Sequence, residues 1–130
     1  MNVNRPPVNR SFGKQDRVVK QRDFDRVHQG KWFAADRWLV VKGSENELGI
    51  PRLGLSISKR VGNAVVRNRW KRAIREAFRN GRGDIPAGWD FVVRPRKGAR
   101  LNGLEIARSL TNLSRRLVRQ HQRSSARSGS

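Results

Sequence analysis

The chain predicts a small α/β domain: a central sheet with helices packed on it, in the order α-β-β-α-β-α. Three observations predict this. Residues 52–58 alternate Leu53, Leu55 and Ile57 with Gly54, Ser56 and Ser58, the period of a half-buried strand. Residues 59–79 and 102–117 repeat apolar side chains at helical spacing. At 130 residues the chain can bury one modest core, so it forms one domain.

Each element has a local reason. Residues 1–14 are polar, with Pro6, Pro7 and Gly13, and read as a flexible basic tail ahead of a single domain over 15–122. A first helix fits 17–29 through Val18, Phe24, Val27 and His28, with Gly30 as its stop. Residues 38–41 form a strand, 44–51 a turn and 52–58 the second strand, whose small second face leaves room for a neighbour. In the next helix Asn63 is the N-cap, and Val66, Trp70, Ala73, Ile74, Ala77 and Phe78 share an arc of roughly 140°. Residues 80–88 are a Gly- and Pro-containing loop, and 90–94 a third strand stopped by Pro95. Asn102 and Glu105 form a capping box for a helix striped by Ile106, Leu110, Leu113 and Leu117, and 123–130 read as a disordered tail. Trp89 and Phe91 are core residues. Trp32, Phe33 and Trp38 feed the core or a cleft, and His121 is an unremarkable residue near the tail. The second strand, basic helix and third strand make a β-α-β unit, whose default hand is right.

Charge narrows the function. Thirty Lys and Arg oppose ten Asp and Glu, a formal net charge of +20, so a polyanion is the expected partner and nucleic acid the leading one. With 35% hydrophobic residues in periodic runs, the centre folds and is not a disordered basic tail. There is no Cys, which excludes a disulfide framework and a Cys-based zinc site. The first twelve residues lack the apolar run of a signal peptide and no stretch approaches the ~20 apolar residues of a membrane span, so a cytoplasmic location is expected.

The charge is concentrated. Residues 59–79 hold eight Lys or Arg (59, 60, 67, 69, 71, 72, 75 and 79) against one acid, Glu76. Asn68, Lys71, Arg72, Arg75 and Arg79 lie opposite the apolar arc, and Arg67 and Arg69 flank it. Most of these cations lack an acid four residues away, unlike a solvated face of alternating sign.

The run over residues 56–76, Ser-Ile-Ser-Lys-Arg-Val-Gly-Asn-Ala-Val-Val-Arg-Asn-Arg-Trp-Lys-Arg-Ala-Ile-Arg-Glu, resembles the signature of the bacterial ribonuclease P protein family. The likeness extends over about residues 18–118 and includes Asp23-Phe24. It implies an α+β sandwich of the ribosomal protein S5 domain 2-like kind, with an unusual left-handed β-α-β crossover. It implies a catalytic RNA partner that, with Mg²⁺ held mainly by that RNA, removes the 5′ leader from precursor tRNA, and one protein per RNA. It also implies two sets of contacts: the catalytic RNA on Arg67, Asn68, Arg69, Lys71, Arg72 and Arg75, and the leader and precursor tRNA on Phe24, His28, Ser56, Ser58, Lys59 and Arg60.

The residues themselves leave alternatives beside these roles. Arg forks grip phosphate in two-pronged fashion and Asn bridges a base edge or backbone, but the same helix face also reads as merely solvated. Lys59 and Arg60 are either phosphate contacts or edge charges that deter aggregation. Phe24 is either a core residue or a stacking platform, which tolerates any base. His28 stands where the family often has a second aromatic, and is either a smaller stacking surface or a surface residue at a helix end.

Catalytic reagents of the chain's own are not visible. Between Leu48 and Gly83 the one acid is Glu76, His28 and His121 lie far apart, and Asp23 and Asp25, two residues apart, do not face each other on a helix. The reading is an accessory subunit of an endoribonuclease with no catalytic residue and no metal site in the protein. Two other classes share the composition: a ribosomal or ribosome-assembly protein packing its helix into folded RNA, and a duplex-DNA binder with the helix in a major groove.

Overall fold

The computed structural model describes residues 12–128; the first eleven residues of the expected N-terminal tail lie outside it. The elements are α1 (Gln21–Gln29), β1 (Phe33–Ala35), β2 (Leu39–Glu45), β3 (Arg52–Leu55), α2 (Ala64–Gly81), β4 (Trp89–Pro95) and α3 (Gly103–Ser128). The strands form one sheet in the order β1-β2-β4-β3. β1 with β2 and β2 with β4 are antiparallel, while β3 runs parallel to β4, so β3-α2-β4 is the expected parallel crossover unit.

Helices α2 and α3 pack side by side on one face of the sheet and α1 lies on the other. The main core joins Leu39, Val41, Leu53, Phe91 and Val93 of the sheet to Trp70, Ile74 and Phe78 of α2 and Ile106, Leu110, Leu113 and Leu117 of α3. Each such buried Leu, Ile or Phe contributes about 1.5–3 kcal/mol through removal of apolar surface from water. On the opposite face Val18, Val27, Val40 and Val92 are buried in the thinner layer under α1. The apolar arc predicted for the basic helix is therefore its buried stripe, and Asn63 caps it by accepting from the Val66 N–H at 3.0 Å. Asn102 caps α3 in the same way, accepting from the Glu105 N–H at 3.1 Å.

The structure corrects several boundaries. There are four strands, not three. β1 is only three residues long, too short to display a period, and it forms because Phe33–Ala35 pairs with Val40–Lys42. The first helix starts at Gln21: Arg17 instead bridges to Leu53, and the Val18 N–H donates to the Leu53 carbonyl at 3.0 Å. Val18 thus serves the sheet, not a helical stripe. β2 runs on through Gly43 and Ser44, which sequence assigned beyond the strand or to a turn. Gly43 is a packing glycine, since a Cβ there would lie 2.8 Å from the Leu117 side chain and 3.1 Å from Trp89.

β3 stops at Leu55, although the Ser56 N–H still donates to the Val93 carbonyl at 3.0 Å. Lys59–Val61 form a separate 3-10 turn, and α2 starts only after Gly62, whose φ of 154° and contact with Val66 favour glycine. α3 continues to Ser128, so residues 123–128 are helical where a tail was expected. At the other end Phe12 sits edge-on to Phe78 at 5.7 Å and Lys14 opens a 3-10 turn, so residues 12–14 belong to the folded domain. His121 is not idle: its Nε2 lies 2.8 Å from a Glu45 carboxylate oxygen, and its ring meets the edges of Trp32 and Trp89.

Candidate nucleic-acid interface

The first surface is the solvent side of α2. Asn68, Arg72, Arg75 and Arg79 are all exposed, on the side away from buried Trp70, Ile74 and Ala77, and extend about 16 Å along the axis. Arg69 is exposed on a flank and Lys71 is half-buried. Arg72 pairs with Glu76 at 3.1 Å, but both side chains are well exposed and such a pair is worth only a few tenths of a kcal/mol. Among the described residues no carboxylate lies within ion-pair distance of Arg69, Lys71, Arg75 or Arg79. Arg67 is different: half-buried, it donates from Nη1 to the Gly62 carbonyl at 2.8 Å and so braces the entry to its own helix.

The second surface is the sheet face that α1 partly covers. The small face of β3 has the neighbour that its sequence left room for. A Cβ at Gly54 would come within 3.0 Å of the Phe24 ring and 3.1 Å of Val18, so the ring lies against bare backbone. Phe24 is half-buried, so the ring packs on the sheet while part of it stays open to solvent. His28, one turn further along α1, is exposed. Ser56 continues the β3 ladder beside Val93, while Ser58, Lys59 and Arg60 are exposed in the segment joining β3 to α2. That segment links the two surfaces.

The strand register adds residues that sequence did not single out. Alternation places Lys42 of β2 and Arg94 of β4 on the same sheet face as Val40 and Val92, with Phe33 opposite Lys42 on β1. Phe33 and Arg94 are exposed and Lys42 is half-buried. A basic residue interrupting the run Val40-Val41-Lys42 was the available signal, but its face depends on the pairing of β2 with β4.

A buried ion cluster fixes α1 to the sheet. The Asp90 side chain is fully buried; Arg52 donates to it from Nε at 2.7 Å and Nη2 at 2.6 Å, Asn46 donates from Nδ2 at 2.9 Å, and Arg26 of α1 donates from Nη2. Asp23, also on α1, lies 3.5 Å from both guanidinium groups. Burial alone would raise the Asp90 pKa. The hydrogen bonds from Arg52 and Asn46 and the positive charges of Arg52 and Arg26 outweigh it, holding the carboxyl below its ordinary value, while the hydrogen bond to Asp90 raises Arg52. These acids are occupied by cations. Among the described residues no group of three or more His, Cys, Asp or Glu is placed to hold a metal ion.

Fold and surfaces together define a class: a small α/β protein that offers an acid-poor basic helix and, separately, a sheet face on which a half-buried aromatic ring lies against bare backbone. Residues 12–124 match the protein-family model described as Ribonuclease P. The "Ribonuclease P protein component" of Stutzerimonas stutzeri is 39% identical over 127 residues, covering 94% of this chain and 95% of the relative. That of Desulforapulum autotrophicum is 36% identical over 84% of this chain and 94% of its own. The RNase P protein from Thermotoga maritima superposes with a TM-score of 0.71 at 33% identity, over 77% of this chain and 96% of its own. The Staphylococcus aureus RNase P protein gives 0.67 at 39% identity, over 75% and 91%. The chain belongs to the ribonuclease P protein family. No helix among the described residues is long and apolar enough to cross a membrane.

Proposed function

We propose that this chain is the protein subunit of a cytoplasmic ribonuclease P, one per catalytic RNA, and assists Mg²⁺-dependent removal of the 5′ leader from precursor tRNA. Family membership across residues 12–124, with the family's basic helix turned to solvent, is the observation that carries the reading. Asn68, Arg69, Lys71, Arg72 and Arg75 contact the catalytic RNA, exposed Arg79 on the same side joins them, and Arg67 serves that contact chiefly by setting the helix entry. Phe24, His28, Ser56, Ser58, Lys59 and Arg60 line the path of the leader, and Lys42 and Arg94 join them. Mg²⁺ is held mainly by the RNA, which does the cutting. The protein lowers the repulsion among RNA phosphates and grips a segment that the product lacks.

A comparison of holoenzyme affinity for tRNA with and without a leader of several nucleotides tests this. The leader-bearing substrate binds more tightly, and Phe24→Leu, which keeps an apolar fill over Gly54 but removes the flat ring, shrinks the ratio by about 5- to 100-fold per stacked base lost. Its salt dependence stays nearly unchanged. Equal affinity for the two substrates in the wild type removes the leader role.

A further inference from the structure

α3 carries more charge than its packing requires. Its 26 residues hold six arginines (108, 115, 116, 119, 123 and 127), no lysine and one acid, Glu105. Arg108 lies 3.6 Å from Glu105, and Arg116 donates to the Ala35 carbonyl at 3.3 Å. Among the described residues no carboxylate is within ion-pair distance of Arg115, Arg119 or Arg123, and all three are exposed. Asp84 borders the groove that Arg115 lines, but no ion pair between them occurs among the described residues.

Helical geometry aligns these groups. At about 100° per residue, Arg108, Arg115, Arg119 and Arg123 fall within about 80° and extend about 22 Å, on the side away from Ile106, Leu113 and Leu117. Arg115 with Arg119, and Arg119 with Arg123, are like-charge pairs four residues apart, each destabilising by a few tenths of a kcal/mol. The helix dipole offsets such a cost only within the last turn, beyond Arg115 and Arg119. Among the described residues the last one buried in the helix is Val118 and the last packed on core aromatics is His121, so Arg123 lies beyond the packing. A row of arginine forks with no internal counter-ion is suited to phosphates.

The kind of nucleic acid follows from what is missing. α3 contains no Phe, Tyr or Trp, and its His121 is turned inward onto Trp32 and Trp89. Single strands are held largely by stacking, whereas duplex RNA is held by its shape and backbone. α2 and α3 share one layer, so their outer faces look the same way. We infer that the outer face of α3 is a second phosphate-binding surface, which takes a double-helical RNA segment beside the one held by α2. This rests on the RNA-binding reading of α2 and widens it.

The test measures affinity against salt concentration for the full chain and a blunt RNA duplex of about 16 base pairs, the span that a two-groove duplex reader covers. Arg115→Gln/Arg119→Gln/Arg123→Gln, with its fold checked by circular dichroism, is expected to weaken binding and flatten the log–log salt slope by about 2 units. The triple Arg→Lys variant retains most of that slope. The holoenzyme's preference for leader-bearing tRNA stays at the wild-type ratio in the triple Gln variant. Unchanged affinity and slope in the Gln variant, with Arg72→Ala/Arg75→Ala impaired, would overturn the α3 surface and leave the α2 reading standing. An equal loss of binding to a single-stranded oligonucleotide would overturn the duplex assignment, and a wild-type protein that binds no RNA would overturn both readings.

Discussion

Replacing Asp90 by alanine is expected to remove about 3 kcal/mol of folding stability, the lower end of the 3–5 kcal/mol typical of breaking a buried ion pair. Removal of the carboxylate leaves Arg52, 17% exposed, without its main partner and Asn46 without one of its acceptors. Arg26 is 35% exposed and keeps Asp23 nearby, so it rehydrates at little cost; hence the lower end of the range. For a domain of this size the loss is a large fraction of the total, and it lowers the urea midpoint by about 1 to 3 M. The sign of the pH dependence follows from the depressed Asp90 pKa. Its stabilisation is complete above the unfolded carboxylate value near 3.9 and is lost as pH falls through the still lower folded value. Urea titrations at neutral pH and near pH 3 check both points. The gap between wild type and Asp90→Asn is expected to narrow at the acid end. A loss below about 1 kcal/mol at neutral pH, or a gap that is constant with pH, contradicts the role of the cluster.

Arg72→Ala/Arg75→Ala/Arg79→Ala is expected to weaken catalytic-RNA binding roughly 100-fold near 0.1 M salt while leaving the fold intact. All three side chains are exposed, and among the described residues the Arg72–Glu76 pair is the one ion pair lost with them. Each phosphate contact removed takes about 0.7 to 0.9 from the salt slope, so the triple variant is flatter by about 2 to 3 units and the gap closes toward 1 M. Filter binding over a salt series measures it. An unchanged slope would make this face a merely solvated one, and a loss independent of salt would point to damage in the fold.

The basic helix was legible because its two signals are local: an Asn63 cap and an apolar stripe that returns every turn. The room above Gly54 was legible too, although its occupant, Phe24, is thirty residues upstream and is brought there by the Val18–Leu53 hydrogen bond, the burial of Val27 and the Asp90 cluster. What failed depended on partners distant in sequence. Gly43 falls beyond the predicted strand until the packing of Leu117 and Trp89 over it is seen, and β1 is a strand only because β2 lies beside it. Val18 fits a helical stripe but is claimed by β3, and His121 gains its place from Glu45 and two tryptophans. For the same reason Lys42 and Arg94 come onto the α1 side of the sheet only through strand register. Arg67 was placed correctly beside the apolar arc, but its bond to Gly62 reflects the local path of the chain, not a periodicity.

The division of labour, with RNA cutting and protein neutralising charge and gripping the leader, is tested most directly by cleavage of precursor tRNA at low Mg²⁺. The catalytic RNA alone should cut slowly there, and addition of this protein should restore cleavage at the same bond with an unchanged product end. Cleavage by the protein without the RNA, or no change in rate or Mg²⁺ requirement when the protein is added, would contradict the account.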